Sequence, residues 1–169
     1  MAKEVFEEKQ AFTQWWIWLI LLAVLAYEIK LTFDLYQLDD YSGRTVMAYL
    51  LIMLPILLVL LLFAFSKLYT RVDEHGIEVV FKPFGFTKRK FNWDQIEKAE
   101  SVKYNPIKEF GGWGYRISWK GKGTAMNVKG NRGIQLIMKN NKKFLIGTQR
   151  PEEALGAINA YINASVTNT

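Results

Sequence analysis

Val46 to Phe65 reads VMAYLLIMLPILLVLLLFAF, twenty consecutive residues without a charge. A helix rises about 1.5 Å per residue, so this one is about 30 Å long, the thickness of a bilayer's hydrocarbon core. A chain of 169 residues folds around no core deep enough to bury such a helix on every side. The stretch therefore predicts a membrane span over residues 46–66.

A second apolar stretch precedes it. Phe12 to Tyr27 reads FTQWWIWLILLAVLAY; Glu28 and Lys30 interrupt, and apolar character returns at Leu31 and Phe33. A span over residues 12–33 sets Glu28 about 24 Å along the helix. That is close to the far headgroups, where its carboxylate reaches water and Lys30 snorkels. Trp15, Trp16 and Trp18 crowd one end and Tyr27, Phe33 and Tyr36 the other, as interfacial belts do. Tyr69, just past the second span, reads as a further interface anchor. A cleaved signal peptide fits poorly: Glu4, Glu7 and Glu8 outnumber Lys3 and Lys9, and no small-x-small site follows. The connection Gln37–Thr45 is short and polar, so the spans form an antiparallel hairpin. Lys3, Lys9, Lys67, Arg71 and Lys82 flank its open end, against Arg44 and at most Lys30 at the other. That bias predicts an inner-membrane protein with both termini in the cytoplasm, residues 1–11 forming an amino-terminal tail.

Charge divides the chain. Residues 1–66 carry four Lys/Arg and seven Asp/Glu; residues 67–169 carry eighteen and nine. The second part is thus a basic body large enough for one small domain, over residues 67–164, with residues 165–169 as a tail. Beside a membrane its natural acidic neighbour is the anionic inner leaflet. Nucleic acid is not expected, for no RNA signature or DNA-reading helix is recognisable. The chain has no cysteine, which excludes disulfides and thiolate chemistry.

After the second span, β-like runs recur between turn residues: Leu68–Val72, Ile77–Phe81, Phe86–Asn92, Ile96–Tyr104, Tyr115–Trp119, Thr124–Val128, Ile134–Met138 and Lys143–Gly147. Asn140-Asn141 suits a tight hairpin turn. Pro151-Glu152-Glu153 then opens a helix, with Thr148 as an upstream cap, and Leu155, Ile158 and Ile162 give it an apolar face.

Gly111 to Leu155, GGWGYRISWKGKGTAMNVKGNRGIQLIMKNNKKFLIGTQRPEEAL, is similar to small membrane-anchored members of the bacterial pleckstrin-homology (PH) family, most of all in its IGTQRPEE run. The resemblance implies a mainly-β PH-like domain of seven to eight antiparallel strands with a carboxy-terminal helix, behind a two-helix transmembrane hairpin. It implies no particular activity, since that fold hosts lipid binding, peptide binding and assembly roles.

Lys82, Lys88 and Lys90 resemble the spaced basic pattern of the first PH hairpin, the loop that holds a phosphorylated headgroup in lipid-binding members, with a lysine in place of the usual final arginine; Arg89 joins them as a candidate headgroup contact. Arg89 falls on the opposite strand face from its neighbours. Each cation near an anionic surface contributes about 1 kcal/mol, and Phe84 and Phe86 are placed to dip into the interface. A partner surface is expected from Phe110, Arg116, Lys120, Lys122 and Arg132, with Lys108-Glu109-Phe110 as an exposed loop. Arg132 and Arg150 are candidates to brace a buried carboxylate. Gly111-Gly112-Trp113-Gly114 lacks phosphate-loop grammar and reads as glycines letting the chain cross a large ring. The single histidine, His75, lies in the turn Asp73-Glu74-His75-Gly76 without converging partners, so no catalytic set, metal site or cofactor is expected. Glu28 and Lys30 are the ionisable exceptions within the spans.

These features favour a membrane-anchored binding or scaffold module contacting anionic lipid, a protein partner or its own copies. An accessory subunit of a larger membrane complex is the second reading, and an enzyme on a lipid-linked substrate a remote third.

Overall fold

Residues with no polar alternative for their surroundings form helices that are apolar all round rather than striped. The computed structural model, which describes residues 5–38, 43–83, 85 and 87–166, has two of them: α1, Trp15–Leu38, and α2, Gly43–Phe65, which continues through Pro55. Both are long and apolar enough to cross a membrane. They pack on each other, yet Leu19, Leu22, Leu50, Leu51, Leu57 and Leu58 all lie open. Each extends beyond the expected spans of 12–33 and 46–66 at the connection side. The residues joining them, 39–42, lie outside the described residues, as do Phe84, Phe86 and 167–169.

Thr13–Phe65 forms one compact unit; Met1–Phe12 and Ser66–Thr169 form the other. The second unit holds two sheets. In the first, called sheet A, β1 (Phe6–Ala11), β2 (Lys67–Asp73), β3 (Gly76–Lys82) and β4 (Arg89–Phe91) pair antiparallel in that order. The segment expected as a cytoplasmic tail over residues 1–11 is thus, from Phe6 on, a strand, with Phe6 opposite Val72 and Ala11 opposite Lys67. Of the run expected over Phe86–Asn92, Arg89–Phe91 form the short β4, and Phe86 lies outside the described residues.

A 3₁₀ turn (Trp93–Gln95) leads to β5 (Ile96–Lys103) and a short helix α3 (Pro106–Phe110). Then follow β6 (Gly114–Ile117), β7 (Thr124–Asn127), β8 (Arg132–Met138), β9 (Lys143–Gly147) and helix α4 (Pro151–Val166). Sheet B has the order β5-β8-β9-β7-β6, and its β7–β9 pair is parallel. Two sheets of four and five strands replace the expected seven to eight antiparallel ones. The parallel pair arises because β7 joins β9 from the far side of the β8–β9 hairpin.

Alternation sends Leu68, Val72, Ile77 and Val79 from sheet A, and Met126, Ile134, Leu136 and Ile146 from sheet B, into one core. The apolar face of α4 closes it with Ala154, Ala157, Ile158 and Tyr161. The 3₁₀ turn adds Trp93, stacked on Tyr161 at 5.0 Å between ring centroids.

On its opposite face sheet B carries a second cluster of Tyr104, Phe110, Ala125 and Leu145. Helix α3 covers that face, and its ends are written in sequence. The Asn105 side chain caps the amide of Lys108, Pro106 takes the first turn, and Gly111 stops the helix at φ 72°. Lys108-Glu109-Phe110 is therefore helix rather than exposed loop, and Phe110 is buried at 2% exposure. Burying such a ring contributes about 1.5–3 kcal/mol. Desolvation under α3 pushes the Tyr104 phenol up to about 12, although its oxygen accepts a bond from Asn127.

Candidate functional site

The buried face of β1 is polar. Glu8 and Gln10 point inward beside Phe6, and each finds partners at the corner between β9 and α4, the IGTQRPEE run. Glu8 accepts from the Thr148 hydroxyl at 2.5 Å, the Gln149 amide at 3.0 Å and the Gln10 side chain at 3.3 Å. Gln10 also donates to the Gly147 carbonyl at 2.7 Å. Thr148 serves twice, since its oxygen accepts the amide of Arg150 just ahead of α4. The buried carboxylate is thus held by hydroxyl and amides rather than by an arginine. Arg132 instead pairs with exposed Glu152 at 2.8 Å, and Arg150 pairs with Glu153, donates to the Glu7 carbonyl and lies over the Phe6 ring. Both guanidiniums stay at the rim, where they keep water.

The outer face of sheet A is charged, and the charges sort along the strands. At the end where β1 leads into α1 and β2 follows α2, Ala11, Lys67 and Lys82 lie side by side in register. In the next row Lys9 faces Tyr69, with Val80 beyond. The Lys82 ammonium stands 4.6 Å and that of Lys9 5.3 Å from the centre of the Tyr69 ring. The Lys9 ammonium, bonded to its phenol, lowers the Tyr69 pKa, helped by Lys82 and Lys67. Among the described residues none of these three lysines forms a salt bridge. One row further on, Glu7, Arg71 and Glu78 align and neutralise one another: Arg71 reaches Glu7 at 3.5 Å and Asp73 at 2.9 Å, and Lys88 reaches Glu78 at 2.8 Å. A shallow groove of about 540 Å³ runs over this face between Lys9, Tyr69, Arg71, Glu78 and Lys82.

The structure does not gather the basic quartet expected in the first hairpin. Lys82 stands over Tyr69, Lys88 pairs with Glu78, and Lys90 lies opposite Glu78. Arg89 turns to the other face, where it bonds the Tyr115 hydroxyl at 2.8 Å. What sequence reading missed is that Lys9 and Lys67, far apart in the chain, complete a cluster with Lys82. The signal was available only once the amino-terminal segment was recognised as a strand.

The expected partner surface also divides. Arg132 belongs to the start of β8, while Arg116, Lys120 and Lys122 lie exposed on β6 and the turn after it. That turn is fixed: Gly123, at φ 85°, sits where a side-chain carbon would come 2.0 Å from the Lys143 carbonyl oxygen. Trp113 donates to the Gly130 carbonyl, with positive φ at Gly111, Gly112 and Gly114 around it. The exposed aromatic is Trp119, at 94%, rather than Phe110.

Trp15, Trp16 and Trp18 open α1 and Tyr36 lies in its last turn. Lys30 pairs with Asp34 one turn on, at 2.5 Å. One oxygen of Glu28, and the Thr32 hydroxyl, are buried without a hydrogen-bond partner among the described residues. His75 sits exposed in the β2–β3 turn, its imidazole 3.8 Å from Glu74.

No protein-family model matches this chain, and no curated protein matches it either.

Proposed function

We propose that this chain is a membrane-anchored, non-catalytic binding module whose β unit rests on the anionic headgroups of the cytoplasmic leaflet of an inner membrane. The observation that carries the reading is the sorting of charge along sheet A. Lys9, Lys67 and Lys82 crowd the end that joins the two apolar helices, while the acids and their partners occupy the other. Lys67 follows Phe65 by two residues, which keeps it within about 7 Å of the end of α2 along the chain. Because β1 and β2 pair directly, the segment before α1 and the body after α2 share one side of any bilayer the helices cross. Cations flanking that side argue for the cytoplasmic face, and ammonium groups without carboxylate partners keep their charge available to phosphates.

The kinship with bacterial PH domains is part of the same proposal. Two sheets and a closing carboxy-terminal helix support it; strand β1 and the parallel β7–β9 pair are features that the resemblance does not imply. The second reading, an accessory subunit of a larger complex, is favoured by one observation: β6 ends sheet B, and among the described residues no strand pairs with its outer side.

The test is lysine acetylation of the full chain in lipid nanodiscs, read residue by residue by mass spectrometry. In discs containing anionic lipid, Lys9, Lys67 and Lys82 are expected to react several-fold more slowly than in neutral discs, while exposed Lys139 and Lys142 keep their rates. Equal rates at all five positions would overturn the lipid contact.

A further inference from the structure

Strand β6 ends sheet B, and among the described residues no strand pairs with its outer side. The Ser118 amide donates to the Gly123 carbonyl at 2.8 Å, and the Gly114 amide to the Asn127 side chain at 3.0 Å. Alternation along an antiparallel strand therefore turns the backbone groups of Gly114, Arg116 and Ser118 toward β7, and those of Tyr115 and Ile117 toward the open side. A groove of about 630 Å³ lies at this edge, lined by Tyr115, Arg116, Ile117, Ser118 and Trp119 together with Phe110 and Gly111. Ile117 is 67% and Trp119 94% exposed. An unpaired edge that carries exposed apolar side chains is the template for adding an extended segment as a further strand.

Charge selects among occupants. Arg116, Lys120 and Lys122 are exposed along the edge and its turn. Glu109, whose carbonyl accepts from the Ser118 hydroxyl at the end of the edge, has its carboxylate turned back onto the Asn105 amide at 2.7 Å. A second copy pairing through β6 would set these cations against their own images. A bilayer interior offers no partner to the outward amides and carbonyls. We propose that β6 is the docking edge for an extended segment of a protein partner, in which apolar residues alternate with carboxylates. Its backbone pairs with Tyr115 and Ile117, its apolar side chains lie beside Ile117 and Trp119, and its carboxylates meet Arg116, Lys120 and Lys122. This goes beyond the lipid contact and stands on a different face.

The experiment uses the full chain in nanodiscs of neutral lipid, so that the lysine end of sheet A is not engaged and failure here leaves the lipid reading intact. Two fluorescent decapeptides serve as probes, one alternating glutamate with valine and one alternating lysine with valine, with binding followed by anisotropy. The acidic peptide is expected to bind and the basic one not. Ile117→Pro removes one outward amide while sparing the groups that face β7, so the fold persists by circular dichroism and the acidic peptide binds about tenfold more weakly. Reversing Arg116, Lys120 and Lys122 to glutamate is expected to exchange the preference. Failure of the acidic peptide to bind, or binding indifferent to Ile117→Pro or to charge reversal, would overturn the proposal. So would a Trp119-dependent dimer, or Trp119 buried in anionic vesicles instead of peptide; these would assign the edge to a second copy or to lipid.

Discussion

A single carboxylate, Glu8, joins the amino-terminal strand to the corner where β9 becomes α4. It is 8% exposed and accepts from Thr148, Gln149 and Gln10. Removing it strands donors that have already left water, and a buried donor without a partner costs about 1–3 kcal/mol. Glu8→Ala is therefore expected to destabilise the β unit by about 2–3 kcal/mol in urea denaturation of the full chain in detergent, followed by tryptophan fluorescence. Glu7→Ala, whose exposed carboxylate only meets Arg71 at 3.5 Å, is expected to change stability by less than about 0.5 kcal/mol. Equal effects of the two would remove Glu8 from the account of how β1 is held.

At the scale of elements, β1 is the strand that closes sheet A against sheet B. Deleting residues 2–11 takes away Phe6, leaves β2 as a raw edge and opens the Thr148 corner. The deletion is expected to make Ser66–Lys82 sensitive to protease in detergent, while the helical hairpin still resists carbonate extraction from membranes. A β unit as resistant as the intact one would show β1 to be dispensable. This element was also the least legible in the sequence. FEEKQA carries only one apolar residue on its inward face, because Glu8 and Gln10 are buried against a polar corner rather than against oil, and no period-two pattern betrays it. The runs Ile77–Phe81, Thr124–Val128, Ile134–Met138 and Lys143–Gly147, by contrast, pack on the common core and read as strands within a residue or two of where β3, β7, β8 and β9 lie. Helix α3 could have been found: Asn105, Pro106 and Gly111 are a cap, a first-turn proline and a stop spaced for one short helix. The basic cluster at Tyr69 could not, since Lys9 meets Lys67 and Lys82 only through strand pairing. The open edge of β6 was equally hidden, for nothing local tells a last strand from a central one.

For the whole molecule, two apolar helices are strung between adjacent strands of one sheet, and the sequence alone made both helices plain. The account predicts that they cross an inner membrane, with the β unit on the cytoplasmic side and the connection between them outside. The chain has no cysteine, so single cysteines report topology cleanly. Ser42→Cys lies in the connection, and Lys143→Cys lies on exposed β9 surface. With a membrane-impermeant maleimide added to intact spheroplasts, Ser42→Cys is expected to label at once and Lys143→Cys only after lysis. Labelling of Lys143→Cys in intact spheroplasts, or protection of Ser42→Cys there, would contradict the account.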